Sequence, residues 1–199
     1  MGLREVLDHP AVYRLWQAPF ARAKLRPLLS HNDLGGVRRV LDVGCGPGTN
    51  AALFTHCDYL GLDLNERYIE YARSRYHRPF AAVDVRTYVA PAEEKFDFVL
   101  LNSLLHHLDD RSVRHILLQV REQLVPGGCV HILDLVLPAR RSVARWLALA
   151  DRGDYPRPLE RWQELFAAVF EPLVVQSHGV GTLGLTLWSM VYFKGRSPA

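Results

Sequence analysis

Between Val40 and Val136 short apolar runs alternate with stretches of helical periodicity, and that alternation leaves few folds open to the chain. Val40 to Val43 reads as a strand running into a glycine loop, with Asn50 to Phe54 as the helix after it. Tyr59 to Asp63 is a second strand ending on an acid, followed by a helix from Glu66 to Tyr76. Phe80 to Asp84 is a third strand, again ending on an acid. Phe96 to Asn102 is a fourth, after which Asp109 or Asp110 caps a long helix to Leu124. The turn Pro126, Gly127, Gly128 stops that helix, and Cys129 to Val136 form a fifth strand. Strands separated by helices must pair in parallel through right-handed crossovers, so the expected fold is α/β with a doubly wound sheet.

The pattern changes at both ends. Arg141 to Leu149 and Leu159 to Phe170 read as helices, whereas Leu173 to Ser177 and Leu187 to Phe193 read as two strands. Only the turn-rich Gly179 to Gly184 joins those strands, which predicts an antiparallel pair at one edge of a mostly parallel, seven-stranded sheet. Ahead of the first strand, Val12 to Leu29 carry apolar groups at helical spacing, interrupted by Pro19 and Pro27, which predicts two short helices joined by a bend. At 199 residues and 49% hydrophobic, the chain suffices for one buried core and is short for two. The expected organisation is a single domain in which residues 37–199 are the core and residues 1–36 form a helical segment that lids the substrate.

Charge narrows the partners. The 24 basic and 21 acidic residues give a formal +3, too slight for a surface that tracks phosphates. Arg22, Lys24 and Arg26, then Arg38 and Arg39, then Arg140, Arg141 and Arg145 cluster weakly and lack interleaved aromatics that would stack bases, so no nucleic-acid partner is expected. The three cysteines, Cys45, Cys57 and Cys129, are far apart and show no ligand spacing, which predicts a reducing compartment and no metal. No apolar run reaches the roughly 18 residues of a spanning helix, and acids stand where a signal peptide would be apolar. The expectation is a cytoplasmic protein without integral membrane association.

The loop Gly44-Cys45-Gly46-Pro47-Gly48 closes the first strand at the carboxyl end, where open α/β sheets bind ligands. Three glycines exceed what a plain strand-to-helix turn needs; they let backbone amides approach a ligand. A dinucleotide fingerprint is G-x-G-x-x-G, but here the third glycine comes one residue early and Thr49 holds the last glycine's place. Asp63, at the second strand's end, can take both hydroxyls of a ribose, and either nucleoside cofactor offers one.

Taken in order, these pieces resemble the class I S-adenosylmethionine-dependent methyltransferases. Val40 to Gly48 looks like that family's first motif, and Leu60-Gly61-Leu62-Asp63 like its second-strand motif. Phe96 to Asn102 with His106-His107-Leu108 resembles its fourth-strand motif, and Leu124 to Gly128 the turn before its fifth strand. The resemblance implies a Rossmann-like fold and S-adenosyl-L-methionine as cofactor, with S-adenosyl-L-homocysteine as product. It implies that Gly44, Cys45 and Gly46 lie against the methionine part and that Asp63 takes the ribose. Leu64 would then pack on the adenine beside Val85, Asp84 would receive the adenine amino group, and Asn102 would sit beside the amino-acid end.

His106 and His107, directly after the fourth strand, are the candidate catalytic residues. Either ring as a base would contribute roughly 10²- to 10⁴-fold, whereas positioning alone can supply about 7 to 11 kcal/mol. If the backbone there is extended, only one of the pair faces the cleft, and His107 is expected to be that one. Acceptor contacts are expected from outside the common core: Tyr13, Trp16, Phe20 and Arg22 early in the chain, and Trp146, Tyr155, Arg157 and Trp162 late. Such an aromatic lid favours a small hydrophobic or aromatic acceptor. After Asn102 the chain continues Ser103-Leu104-Leu105, without the Asn/Asp-Pro-Pro-aromatic signature suited to flipped bases and planar amines. Two other readings compete: a nicotinamide-dependent oxidoreductase, and a non-catalytic module that binds S-adenosylmethionine and regulates a partner.

Overall fold

The structure is a computed structural model that describes residues 10–151, 153–182 and 184–198, with side chains from residue 20 onward. Its centre is one seven-stranded sheet in the order β3-β2-β1-β4-β5-β7-β6. The strands are β1 (Arg39–Val43), β2 (Asp58–Asp63), β3 (Phe80–Ala82), β4 (Phe96–Asn102), β5 (Leu124–Val136), β6 (Glu171–Thr182) and β7 (Leu185–Arg196). β1 to β5 pair in parallel, and β7 runs antiparallel to both β5 and β6. The helices are α1 (Pro10–Ser30), α2 (Glu66–Tyr76), α3 (Asp110–Glu122), α4 (Val143–Ala150) and α5 (Leu159–Ala167).

Alternation along the strands sorts side chains onto two faces. Leu41, Val43, Val99 and Leu101 meet Val113, Leu117, Trp162 and Phe166 of α3 and α5 on one face. Val40, Phe98 and Leu100 meet Leu25, Leu28, Ile69 and Ala72 of α1 and α2 on the other. Sequence periodicity thus becomes a three-layer core. From β1 the chain winds outward to β2 and β3 and then returns to β4 on β1's other side, so the topological switch lies between β1 and β4.

Several boundaries differ from the sequence expectation. The N-terminal segment is one helix, not two: a proline inside a helix costs about 3 kcal/mol, but buried Leu25 and Leu28 hold this one against the sheet. Asn32, just past its end, donates to Leu28 O at 2.7 Å and to Tyr192 Oη at 2.8 Å, and Tyr192 lies 3.0 Å from Nδ1 of the buried His131. Asn50 to Phe54 contain only a single 3-10 turn, Ala51–Leu53. β3 stops at Ala82, which leaves Asp84 in the turn after it. α3 ends at Glu122, and β5 starts at Leu124 and absorbs the Pro126 turn through a register shift against β4. α5 ends at Ala167, and β6 and β7 extend well beyond the expected cores.

Candidate active site

The loop after β1 and the loop after β4 flank the switch point. Gly44 and Gly46 adopt φ of +68° and +54°, conformations that favour glycine. Gly44 and Cys45 both donate backbone N–H to Leu62 O, at 2.8 and 3.0 Å, pinning the loop to β2. The Asp63 carboxylate accepts from Gly46 N–H at 2.9 Å and from Asn65 N–H at 2.8 Å, so the end of β2 fixes the loop's middle. After β4, Ser103 takes a left-handed φ of +58° and is held by its N–H to Leu133 O at 2.8 Å. The chain then makes a 3-10 turn, Leu105–His107, before Asp109 caps α3 by accepting Ser112 N–H at 2.7 Å.

Two cavities open on this junction, and Asp63 borders both. The smaller, about 200 Å³, is walled by Leu64, Val85 and Ile116 with Asp84 and Arg86 at its rim. The larger, about 290 Å³, runs from Gly44, Gly46 and Asn102 past His106, His107 and Asp151 to Lys24, Phe20, Val180, Trp188 and Met190. Phe20 and Trp188 meet edge to face at 4.9 Å, so α1 and β7 close the far wall. Lys24 of α1 enters this cavity, where burial lowers its pKa to about 8 against the pull of Asp134 and Asp151.

Beneath the glycine loop runs a polar chain. Asp42 is fully buried; it accepts Tyr59 Oη–H at 2.7 Å and the Asn50 amide at 3.2 Å. Burial drives its pKa up to about 7, against those two donors. Asn50 Oδ1 in turn accepts from Asn102 Nδ2 at 3.1 Å. That leaves Asn102 Oδ1 buried, without a partner among the described residues, on a residue that lines the larger cavity.

The histidine turn is built differently from the expectation. Because its backbone is 3-10 rather than extended, the two rings lie side by side, centroids 4.1 Å apart, and both residues border the cavity. His106 is the buried one, at 4% exposure, and His107 is exposed. His106 Nδ1 lies 2.6 Å from Asp134 Oδ1, and its Nε2 3.3 Å from Asp151 Oδ2. Burial alone would lower the imidazole pKa, but the two carboxylates outweigh it and push it up to about 9. Asp134 also accepts the N–H of Leu105 at 2.8 Å and of Leu135 at 2.7 Å. Sequence reasoning named no carboxylate for this pair, although an acid inside the apolar run of β5 was the available signal.

The other expected residues divide. Leu64 is exposed and Val85 buried on the smaller cavity. Asp84 is not an uncompensated buried acid: Arg86 Nε donates to both its oxygens at 3.0 and 2.9 Å and holds its pKa below the usual carboxylate range. Cys45 is buried behind the loop, and burial raises its thiol pKa. The side chains of Tyr13, Trp16 and the other residues up to 19 lie outside those described. Trp146 points outward from α4, and Tyr155 is exposed, its N–H donating to His106 O at 3.0 Å; neither borders the larger cavity. Trp162 is core rather than lid, with Nε1–H on Leu135 O at 2.7 Å. Arg157 is buried over Trp162 and donates to Leu108 O at 2.6 Å, Tyr155 O at 3.0 Å and Leu105 O at 3.3 Å, clamping the histidine turn.

Residues 40–128 match the model of a methyltransferase domain. Over that stretch the chain is similar to the class I S-adenosylmethionine-dependent methyltransferases. The chain is 29% identical to a trans-aconitate 2-methyltransferase of Methylobacterium radiotolerans, over 96% of this chain and 68% of that one. It is also 29% identical to the O-methyltransferase cnsE of Penicillium expansum, over 72% of this chain and 49% of that one. The chain spans about half to two thirds of the length of the curated relatives it matches. In fold it is similar to the N-methyltransferase NodS of Bradyrhizobium japonicum bound to S-adenosylhomocysteine, with a TM-score of 0.67 at 19% identity, covering 97% of this chain and 91% of that one. The expected fold, with its antiparallel edge pair, and the expected cofactor family are thereby met, and the nicotinamide reading falls away.

The residues present fit S-adenosylmethionine. Asn102 Oδ1 is a buried acceptor without a partner among the described residues, suited to an ammonium, and a Cβ on Gly46, which lines the cavity, would meet open space.

Proposed function

We propose that the methyltransferase moves the cofactor's methyl group to a nucleophilic atom, O, N, S or C, of a small metabolite with an apolar or aromatic body. One observation carries the reading: a single cavity joins Gly44, Gly46 and Asn102 to the apolar wall of Phe20, Val180, Trp188 and Met190. Relatives named for trans-aconitate and for O-methylation support a small acceptor. Asn102 and the Gly44 loop hold the amino-acid end, Asp63 the ribose, and Leu64, Val85 and Asp84 the adenine. S-adenosylmethionine supplies a methyl group on a positively charged sulfur, which the acceptor's lone pair takes.

The histidines act by placement. His106, protonated between Asp134 and Asp151, has no vacancy for an acceptor proton at neutral pH. It orders the turn that presents His107 to the acceptor, and in-line placement supplies the acceleration. The N-terminal helix, through Phe20 and Lys24, forms the lid. The test is turnover: the protein, S-adenosylmethionine and a panel of small hydroxy, amino and carboxylic acceptors, with S-adenosylhomocysteine as the readout. Product formed with an apolar or aromatic acceptor supports the proposal. Tight cofactor binding with no turnover on any acceptor favours the regulatory-module reading instead.

A further inference from the structure

The helix α4 is amphipathic in the wrong sense for a protein in water. Its buried face carries the small side chains Ala144 and Ala148, while Trp146, Leu149 and Val143 face outward at 67%, 58% and 44% exposure. With exposed Ala150 they form one stripe at helical spacing, and no polar side chain interrupts it. The helix is well formed, Ser142 capping it by accepting Arg145 N–H at 3.1 Å. Scattered exposed apolar residues need no explanation, but a contiguous stripe centred on a tryptophan does.

Charge says what covers it. Residues 137–150 contain three arginines and no acid, a local charge equal to the formal +3 of the whole chain. Arg140 and Arg141 are exposed immediately before the helix, and Arg145 flanks the stripe with its guanidinium turned back onto Pro138 O at 2.6 Å. An apolar stripe collared by arginines suits an interface that is negatively charged at its surface and hydrocarbon beneath. The same helix roofs the acceptor side of the site: Ala148 packs with Leu135, Val180 and Met190, next to Phe20 and Trp188.

We propose that α4 is a membrane-docking element that seats the enzyme peripherally on an anionic lipid surface, with the mouth of the acceptor cavity beside the bilayer. Trp146 and Leu149 enter the headgroup boundary, and Arg140 and Arg141 pair with anionic headgroups. The proposal is independent of which acceptor is methylated.

Flotation with phosphatidylcholine vesicles, with and without phosphatidylglycerol, tests it. The full chain should bind the anionic vesicles, bind pure phosphatidylcholine far more weakly, and come off as salt rises. Trp146→Ser with Leu149→Ser should cut partitioning at least tenfold, and Arg140→Gln or Arg141→Gln about fivefold each on anionic vesicles only. All variants should keep S-adenosylhomocysteine affinity in calorimetry, which separates loss of docking from loss of fold. No binding to anionic vesicles, or binding unaffected by these substitutions, overturns the proposal. So does a solution dimer that Trp146→Ser converts to monomer, since a second copy would then cover the stripe.

Discussion

Asn102 Nδ2 donates to Asn50 Oδ1 at 3.1 Å, and this one bond dictates which way the Asn102 amide faces. Asp42 accepts from Tyr59 Oη–H and from the Asn50 NH2, so Asn50 turns its oxygen toward Asn102. Asn102 must then give its own NH2 to Asn50, which leaves its oxygen buried and without a partner among the described residues. A buried acid thus sets the orientation of an amide on a residue that lines the larger cavity. Asn102→Ala should weaken S-adenosylhomocysteine binding about tenfold or more, the usual worth of a charge-assisted hydrogen bond. Asn50→Val should do so severalfold. Neither should affect 5′-methylthioadenosine, which lacks the amino-acid end. Equal losses for both ligands in calorimetry would assign these residues to loop stability alone.

Asp63 borders both cavities and also ties down the glycine loop. Asp63→Ala should weaken cofactor binding by about 2 to 4 kcal/mol through lost charge-assisted bonds, with the fold retained in circular dichroism. A folded variant of unchanged affinity would remove Asp63 from the site.

Stability should fall as pH rises through the range in which His106 loses its proton. Its folded pKa, about 9, exceeds the ordinary 6.5, so its contribution is complete below pH 6.5 and is lost as pH passes 9. Asp42, raised to about 7, and Lys24, lowered to about 8, act in opposite directions between pH 7 and 8. Unfolding in urea should therefore show about 1 kcal/mol less stability at pH 8 than at pH 7. His106→Gln should flatten that slope. A wild-type slope of the opposite sign would mean that His106 is neutral in the folded chain.

His107→Ala should raise acceptor KM more than it lowers kcat, with little change in the pH profile between pH 6 and 8. A loss of a hundredfold or more in kcat, together with disappearance of an acid limb from the pH profile, would make His107 a general base and refute placement.

The alternation from Val40 to Val136 made the parallel half of the sheet legible, because each strand had to bury both faces and each helix only one. The extent of the edge pair was not legible. Gly179 and Gly181 read as turn residues, yet both lie in β6, where the Leu185 backbone leaves no room for a Cβ at Gly181 and the Thr186 side chain crowds one at Gly179. The continuity of the proline-bearing α1 was not legible either, because local propensity opposes a helix that tertiary packing stabilises. In the site, Asp63 and Asp84 announced themselves at the ends of apolar runs. The partner of His106 did not: Asp134 lies 28 residues further on, and only the pairing of β4 with β5 brings the two together. Lys24 looked like one more charge on a mixed helix, because nothing in helical spacing tells which cavity a side chain will enter.

The position of β7 inside the sheet has a consequence for how the molecule is made. Strand β5, which carries Asp134, pairs with β4 on one side and with β7 on the other, although β7 is the last strand in the chain. As the polypeptide leaves the ribosome, the nucleoside side of the site can assemble early, but β5 stays an open edge until residues 185–196 arrive and slide in between β5 and β6. For that interval the apolar stretch from Val130 to Val136 is a template for any passing strand. Nascent chains stalled before residue 185 should accordingly be the form that chaperones hold and that aggregates first.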